Sequence, residues 1–498
     1  MPSSNPNPDA NAGPRPTSEV VEQLWLAARL PAQALAHLQL SGGEAAVLPS
    51  SFCVATAAQA SLALAGLAAV ELGALRSPLA GRQSLRVDRA HAAVECSAHF
   101  ALDGREPPLW DPLSGLYACG AEVAGAPPGW VRIHANFAHH RDGALRLLGF
   151  PADPHTPRDA VAAALRRWTA TDFEQAAAAA GLVVAAARRH ADWLQHPQAQ
   201  AVASLPVVDI QRIGDAPPRQ WPPTPSERSP GTAAETPPLS GLRVLDLTRI
   251  LAGPVAGRCL AAYGADVMLV NGPHLPNISA IADTSRGKLS TQIDLRQADG
   301  RRQLDHLLDG AQVFLQGYRP GALAQRGYGA AELARRWPGL VIAELSAYGW
   351  EGPWADRRGF DSLVQTATGF NLDEAEAAGL QTPKAMPMQI LDYAAGHLLA
   401  FGIQAALWRQ QLEGGSWQVR VSLAGVGRWL RSLGRLDQGL AAQAPDITPF
   451  LGEWDSGFGR LRAVRHAPQF SRSVLTSQRP AMPPGSHPPL WPASDCTG

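Results

Sequence analysis

From residue 238 onward the chain alternates strand-like and helix-like segments, and this alternation restricts the fold more than any other feature. Apolar runs at 242–247, 265–270, 312–316 and 340–345 have the length and β-branched content of buried strands. Between or beside them lie helical patterns at 252–263, 300–308 and 330–336, and a long one at 393–411. The first of these opens on Ala252-Gly253-Pro254, where a proline near the helix start sacrifices no internal hydrogen bond. Strand, helix, strand in this rhythm predicts right-handed crossovers and a parallel sheet, hence an α/β fold.

Ahead of this region, 215–237 is rich in Pro, Ser and Thr with almost no apolar periodicity, and reads as a linker. The segment 19–214 reads as a smaller, mostly helical α+β domain. It has a short strand at 130–135 after the turn pair Pro128-Gly129, then helices near 157–169 and 172–180. Residues 1–18 are polar and Pro/Asn-rich, which predicts disorder and no signal peptide. Residues 238–425 form the large domain, and 426–498, poor in regular patterns, a return segment and tail.

Composition removes several functional classes. Lys+Arg and Asp+Glu both number 43, so the zero formal charge gives no basis for nucleic-acid or anionic-membrane binding. The run 55–75 is long enough to raise a membrane span, but Gln59, Ser61, Gly66 and Glu71 interrupt its alanines, so a buried helix is expected. Five scattered cysteines, Cys53, Cys96, Cys119, Cys259 and Cys496, have neither redox nor zinc-ligand spacing. They imply reduced thiols, a cytoplasmic setting and no metal site. No Gly-x-Gly-x-x-Gly follows the first strand, which argues against a dinucleotide enzyme.

There is also a weak internal repeat. Residues 54–72 followed by 81–88 parallel 391–409 followed by 415–422, each a small-residue helix, a turn and a strand. In that register Asp392 corresponds to Ala55, so only one copy keeps the acid.

Nine short motifs then stand in a recognisable order. They are Pro238-Leu239-Ser240-Gly241-Leu242-Arg243-Val244-Leu245-Asp246-Leu247-Thr248-Arg249, Leu251-Ala252-Gly253-Pro254, Tyr263-Gly264-Ala265-Asp266-Val267, Ser285-Arg286-Gly287-Lys288 and Asp294-Leu295. Tyr318-Arg319-Pro320-Gly321, Ser346-Ala347-Tyr348-Gly349, Gly359-Phe360-Asp361 and Leu391-Asp392-Tyr393-Ala394-Ala395-Gly396 complete the series. Together they resemble the large domain of the family III (CaiB/BaiF-like) CoA-transferases, whose branches include carnitine and formyl-CoA transferases and α-methylacyl-CoA racemases. Pro128–His134, Trp193–Gln198 and Gly214–Pro218 resemble that family's small domain. There it follows the large domain; here it precedes it, as in a permuted or fused chain.

The resemblance implies a Rossmann-like large domain and an acyl-CoA:carboxylate CoA-transferase, with acyl-CoA and a carboxylic acid as partners and coenzyme A as the carried group. It implies Asp392 as the nucleophile. Placed at a helix start, that carboxylate suits the role because orphan N–H groups and the helix dipole favour an anion there. Lys288 matches a CoA-contacting position; Arg286, Tyr318, Arg319 and Arg326 would hold the rest of the cofactor, and Leu251 and Ala252 would line the acyl end. In the racemase branch a histidine precedes the acid matching Asp361. Here it is Phe360, which disfavours two-base proton exchange and leaves Asp361 a structural role. Racemase, isomerase or lyase chemistry on the same fold, and a degenerate CoA-binding subunit, remain alternatives. Asn271 and Gly317 depart from the family pattern. Family members are intertwined dimers, so a homodimer is possible here.

Overall fold

The computed structural model describes residues 13–77, 81–219, 236–475 and 479–492. It begins with helix α1 (Thr17–Ala27), whose first residue binds Glu44 through both its amide and its hydroxyl, so order starts earlier than the expected boundary at residue 18. Residues 1–12 lie outside the described residues. Strand β1 (Leu38–Ser41), helix α2 (Val54–Arg76), β2 (Leu85–Asp88), α3 (Arg89–Glu95) and β3 (Phe100–Leu102) follow. The run expected to be a buried helix is α2, and nearly all of its residues are enclosed by protein.

Next comes a compact unit with its own core. Antiparallel strands β4 (Gly115–Cys119), β5 (Gly129–Ile133) and β6 (Val184–Ala186) are covered on one face by α4 (Ala138–Leu147), α5 (Arg158–Leu165) and α6 (Ala170–Ala179). The period-two alternation of β5 sends Val131 and Ile133 into that core and puts Trp130, Arg132 and the following His134 on the opposite face. Helices α7 (His190–Gln195) and α8 (Pro197–Ala203) then lead to β7 (Asp209–Gly214).

The large sheet uses β8 (Arg243–Leu247), β9 (Asp266–Asn271), β10 (Leu289–Gln292), β11 (Val313–Gln316), β12 (Val341–Ser346) and β13 (Ser416–Ser422). Their spatial order is β10-β9-β8-β11-β12-β13, all parallel, with β7 added antiparallel at the β13 edge. This is an α/β fold in which strand order reverses between β8 and β11. Ligands of such sheets collect at that switch point, beyond the carboxyl ends of the strands. The connecting helices are α9 (Ala252–Ala262), α10 (Ile281–Thr284), α11 (Ala298–Gly310), α12 (Ala330–Arg336), α13 (Asp361–Ala367), α14 (Phe370–Ala377) and α15 (Ile390–Glu413), with α16 (Leu423–Ser432) after the last parallel strand. Neighbouring residues take opposite faces: Val244, Val267, Val313 and Val341 join the core shared with α9, α15 and α2, whereas Leu245, Met268, Phe314 and Ile342 join the core under α11 and α12. Burial on both faces is what the near-continuous apolar runs demanded.

Packing redraws the expected domain limits. The core around α15 runs from Val20 to Ala467 and ignores the 19–214 boundary, because α2 lies along α15 and β7 belongs to the large sheet. Of the expected linker, 220–235 lies outside the described residues; before it, the Ala216 carbonyl accepts from Gly415 N and Arg219 donates to the Ala311 carbonyl. The tail is also structured: β14 (Leu451–Ser456) and β15 (Gly459–Val464) form a hairpin against β3, and β16 (Pro468–Phe470) pairs with β2.

The internal repeat is structural. β1 and β2 pair in parallel with Ser41 opposite Asp88, as β12 and β13 do with Ser346 opposite Ser422. Asp88 caps α3 by accepting from His91 N, as Ser422 caps α16 by accepting from Gly425 N. An antiparallel strand flanks each pair, β16 in one and β7 in the other.

Candidate active site

Asp392 is the third residue of α15, and Gln389, not Asp392, is its N-cap. That cap makes no side-chain hydrogen bond, so the opening N–H groups need another partner. Asp361, the first residue of α13, supplies it. Its Oδ2 accepts from Asp392 N at 2.9 Å, it also accepts from Leu391 N, and Gln365 Nε2 donates to its other oxygen. Asp361 is thus a clamp that fixes the start of α15, the structural role expected of it.

The Asp392 side chain accepts no hydrogen bond among the described residues, and its oxygens are not sealed from solvent although the residue is only 9% exposed. Burial, and then the neighbouring Asp361 charge, push its carboxyl well above the ordinary range. Burial also raises Asp361, to about 7, against the pull of its hydrogen bonds. Of the two, Asp361 is the better stabilised anion. Burial and the neighbouring carboxylate therefore both oppose ionisation of Asp392.

Ala252 lies against the same helix. A Cβ on Gly396, one turn beyond Asp392, would stand 2.5 Å from the Ala252 carbonyl oxygen, so only glycine lets α9 and α15 approach this closely. Ala252 is therefore brought beside the helix that carries Asp392. Just before Leu251, Ile250 has φ +79°, a strained backbone for a β-branched residue, at the end of the β8 switch-point loop.

The phosphate-binding expectations divide. Lys288 is fully buried and bonded to the equally buried Asp246 at 2.8 Å and to the Pro254 carbonyl at 2.9 Å. Arg286 is buried under the C-terminal hairpin, paired with Asp283 at 2.8 Å, bonded to the Val464 carbonyl and placed over the Trp454 ring. Neither reaches a ligand surface. Both expectations are corrected for the same reason: a buried cation requires its counter-charge, and here that partner is internal. The basic loop motif builds the core instead.

Arg319 and Arg326 are exposed, with Tyr318 half-buried beside them, after the carboxyl end of β11. Three groups that sequence reasoning passed over complete a cationic cluster. Arg249, after β8, has a buried Nε without a partner; Arg358 approaches His140 Nε2 at 3.3 Å; His139 adjoins both arginines closely enough to feel their charge. Burial and then Arg319 lower the Arg358 pKa, and burial followed by Arg358 and Arg249 lowers that of His139. None of the four arginines has a carboxylate within ion-pair distance among the described residues. Arg249 stood inside a recognised motif, but nothing in sequence links it to Arg358, since the two meet only through folding. The loop from Arg358 through Phe360 to Asp361 joins this cluster to the acid pair.

With this geometry in place, similarity to known proteins becomes informative. The model for "CoA-transferase family III" matches residues 239–446. A probable fatty acyl-CoA transferase of Mycobacterium tuberculosis is 35% identical over 209 residues, covering 39% of this chain and 52% of that one. A succinate–glutarate CoA-transferase of Agrobacterium fabrum is 32% identical over 209 residues, with coverages of 38% and 52%. An acetyl-coenzyme A transferase of Hypoxylon pulicicidum is 29% identical over 322 residues, covering 61% of this chain and 53% of the relative. That last match is too long to fit after the linker, so the relative shares part of the preceding segment in the same order. A crystal structure of a Mycobacterium tuberculosis protein aligns at 34% identity over 40% of this chain and 57% of its own, with a TM-score of 0.35. The chain spans about half the length of the curated relatives it matches.

Proposed function

We propose that this protein is an acyl-CoA:carboxylate CoA-transferase in which Asp392 carries the acyl group covalently. The observation that carries the reading is a carboxylate free of hydrogen bonds on a helix start that Asp361 grips, one loop from an unneutralised arginine cluster at the switch point. The phosphates of coenzyme A suit Arg249, Arg319, Arg326 and Arg358, with Tyr318 presenting an aromatic face. Once deprotonated, Asp392 attacks the thioester carbonyl. The C–S bond breaks, CoA leaves as the thiolate and an aspartyl–acyl anhydride remains. The thiolate then attacks the aspartyl carbonyl, releasing the first acid and leaving an aspartyl thioester; the second acid reverses both steps. Desolvation suits this route, because a poorly hydrated carboxylate is a stronger nucleophile. The names of these relatives, all acyl-CoA or CoA transferases, support the reaction class.

The test is trapping. Incubation with acyl-CoA and hydroxylamine is expected to convert Asp392 to its hydroxamate, detected by peptide mass, and Asp392→Ala is expected to abolish both trapping and transfer. Transfer that survives in Asp392→Ala sinks the proposal. One observation favours a second reading. The neutral His134 ring stacks on Phe360 at 4.1 Å, returning an imidazole to the neighbourhood where the racemase branch keeps its histidine. Solvent deuterium entering at Cα, without trapping, would select that reading.

A further inference from the structure

Gln365 lies on α13, one turn after Asp361, and is fully buried. Its side-chain amide is used completely. Nε2 donates to Asp361 Oδ1 and to the Met388 carbonyl at 3.2 Å, while Oε1 accepts from Met386 N at 3.3 Å. The amide orientation is fixed by these partners, because Met386 N can only donate and the Met388 carbonyl can only accept. Met386 and Met388 are themselves buried and lead into Gln389, the N-cap of α15, whose side chain caps nothing. The second Asp361 oxygen holds Asp392 N at 2.9 Å. One amide therefore joins α13, the approach 386–388 and, through Asp361, the first turn of α15. No other side chain among the described residues links Asp361 to that approach.

We propose that Gln365 is a positioning residue for the transfer reaction: it locks Asp361 into the clamp on α15, and so leaves Asp392 as the carboxyl group offered to the acyl carbon. This rests on the reading of Asp392 as nucleophile and deepens it, since two carboxyl groups share the corner and only one has this amide. The groups facing Asp361 are Asp392 from α15, Arg132 from β5 and Gln365 from its own helix. Gln365 and Arg132 favour the Asp361 anion, and that anion in turn opposes ionisation of Asp392. Without the amide donor the proton shared by the pair moves toward Asp361. Asp392 then ionises at lower pH, but on a helix start whose clamp is loose.

Two measurements on the full chain test this. The first involves no turnover. A water-soluble carbodiimide with glycinamide modifies protonated carboxyl groups, and the tryptic peptide 385–409 contains Asp392 as its one acidic residue. Labelling of that peptide is followed from pH 5 to 9. Gln365→Met, similar in length but without donor or acceptor, is expected to move the loss of labelling down by about one pH unit from wild type. Gln365→Asn, whose shorter amide falls back from Asp361, is expected to give a smaller shift of the same sign. Thr366→Val removes a neighbouring buried bond of α13, to Asn371, and is expected to give none. In an Asp361→Asn background, Gln365→Met is expected to add no shift, because the amide acts through Asp361. No shift in either Gln365 variant, an equal shift in Thr366→Val, or a full shift without Asp361 overturns the proposal. The second measurement is the rate of hydroxamate formation at Asp392 with acetyl-CoA and hydroxylamine. Gln365→Met is expected to lower the saturated rate at pH 8 about tenfold, with half-saturation changed less than about threefold. An unchanged saturated rate overturns the positioning role. If the labelling shifts as expected but the wild type traps nothing with any acyl-CoA, the link from Gln365 to Asp392 stands and the transferase reading alone fails.

Discussion

Asp361 and Asp392 share a buried corner, and their roles separate because the hydrogen bonds are shared unequally. Asp361 takes the helix N–H groups; Asp392 takes none. Removing the Asp361 charge therefore relieves Asp392, and Asp361→Asn is expected to move the alkaline-going rise of kcat/KM down by about one pH unit, read from a pH–rate profile between 5 and 9. Both folded pKa values lie above the unfolded ones, so each carboxyl's contribution to stability is full below about pH 4, and that of Asp361 is lost as pH rises through about 7. The wild type is accordingly expected to lose melting temperature against Asp361→Asn between pH 5 and 8. Lys288 presents the opposite situation, a buried charge with its partner in place. Lys288→Met strands Asp246 and is expected to cost about 3–5 kcal/mol in denaturant unfolding while leaving CoA affinity of the folded protein unchanged. The lysine was legible in sequence as part of a motif. Its role was not, because burial depends on Gly257, where a Cβ would strike both Asp246 and Lys288.

Helix α15 is the element on which the site depends, since it touches α2, α9 and the sheet at once. Its contact with α9 depends on Gly396. Gly396→Ala adds a methyl against a backbone oxygen that has no rotamer with which to yield, and is expected to cost about 1–3 kcal/mol by thermal unfolding. It is also expected to lower kcat more than KM, because the shift falls one turn from Asp392. The strands, helices and order of this region were readable because a sheet covered on both faces needs unbroken apolar strands separated by amphipathic helices. The strands at 451–456, 459–464 and 468–470 were not readable. They are short, and β15 and β16 are held by β3 and β2, which lie more than three hundred residues earlier in the chain.

At the scale of the whole molecule, Glu95 ties three distant segments together. From the end of α3 it accepts from Ala467 N at 2.7 Å, pairs with His466 at 2.9 Å and faces Arg258 of α9 at 3.4 Å. Burial opposes its charge, but His466 and Arg258 overcome that and hold its carboxyl well below the usual range. A depressed carboxyl gives stability that is present above the unfolded pKa, near 4.5, and lost as pH falls. Glu95→Gln is therefore expected to destabilise the chain by about 3 kcal/mol at pH 7, with the deficit shrinking below about pH 4, as measured by urea unfolding at both pH values. The sequence by itself determined the class of fold, the likeness of residues 239–446 to a known family and Asp392 as the acid of interest, because periodicity and short motifs are local properties. Only the tertiary structure decided that Lys288 and Arg286 are core cations and that Arg249, Arg358 and His139 gather at the switch point. Charge pairing depends on which segments meet and on what water is excluded between them, and neither is encoded at any single position.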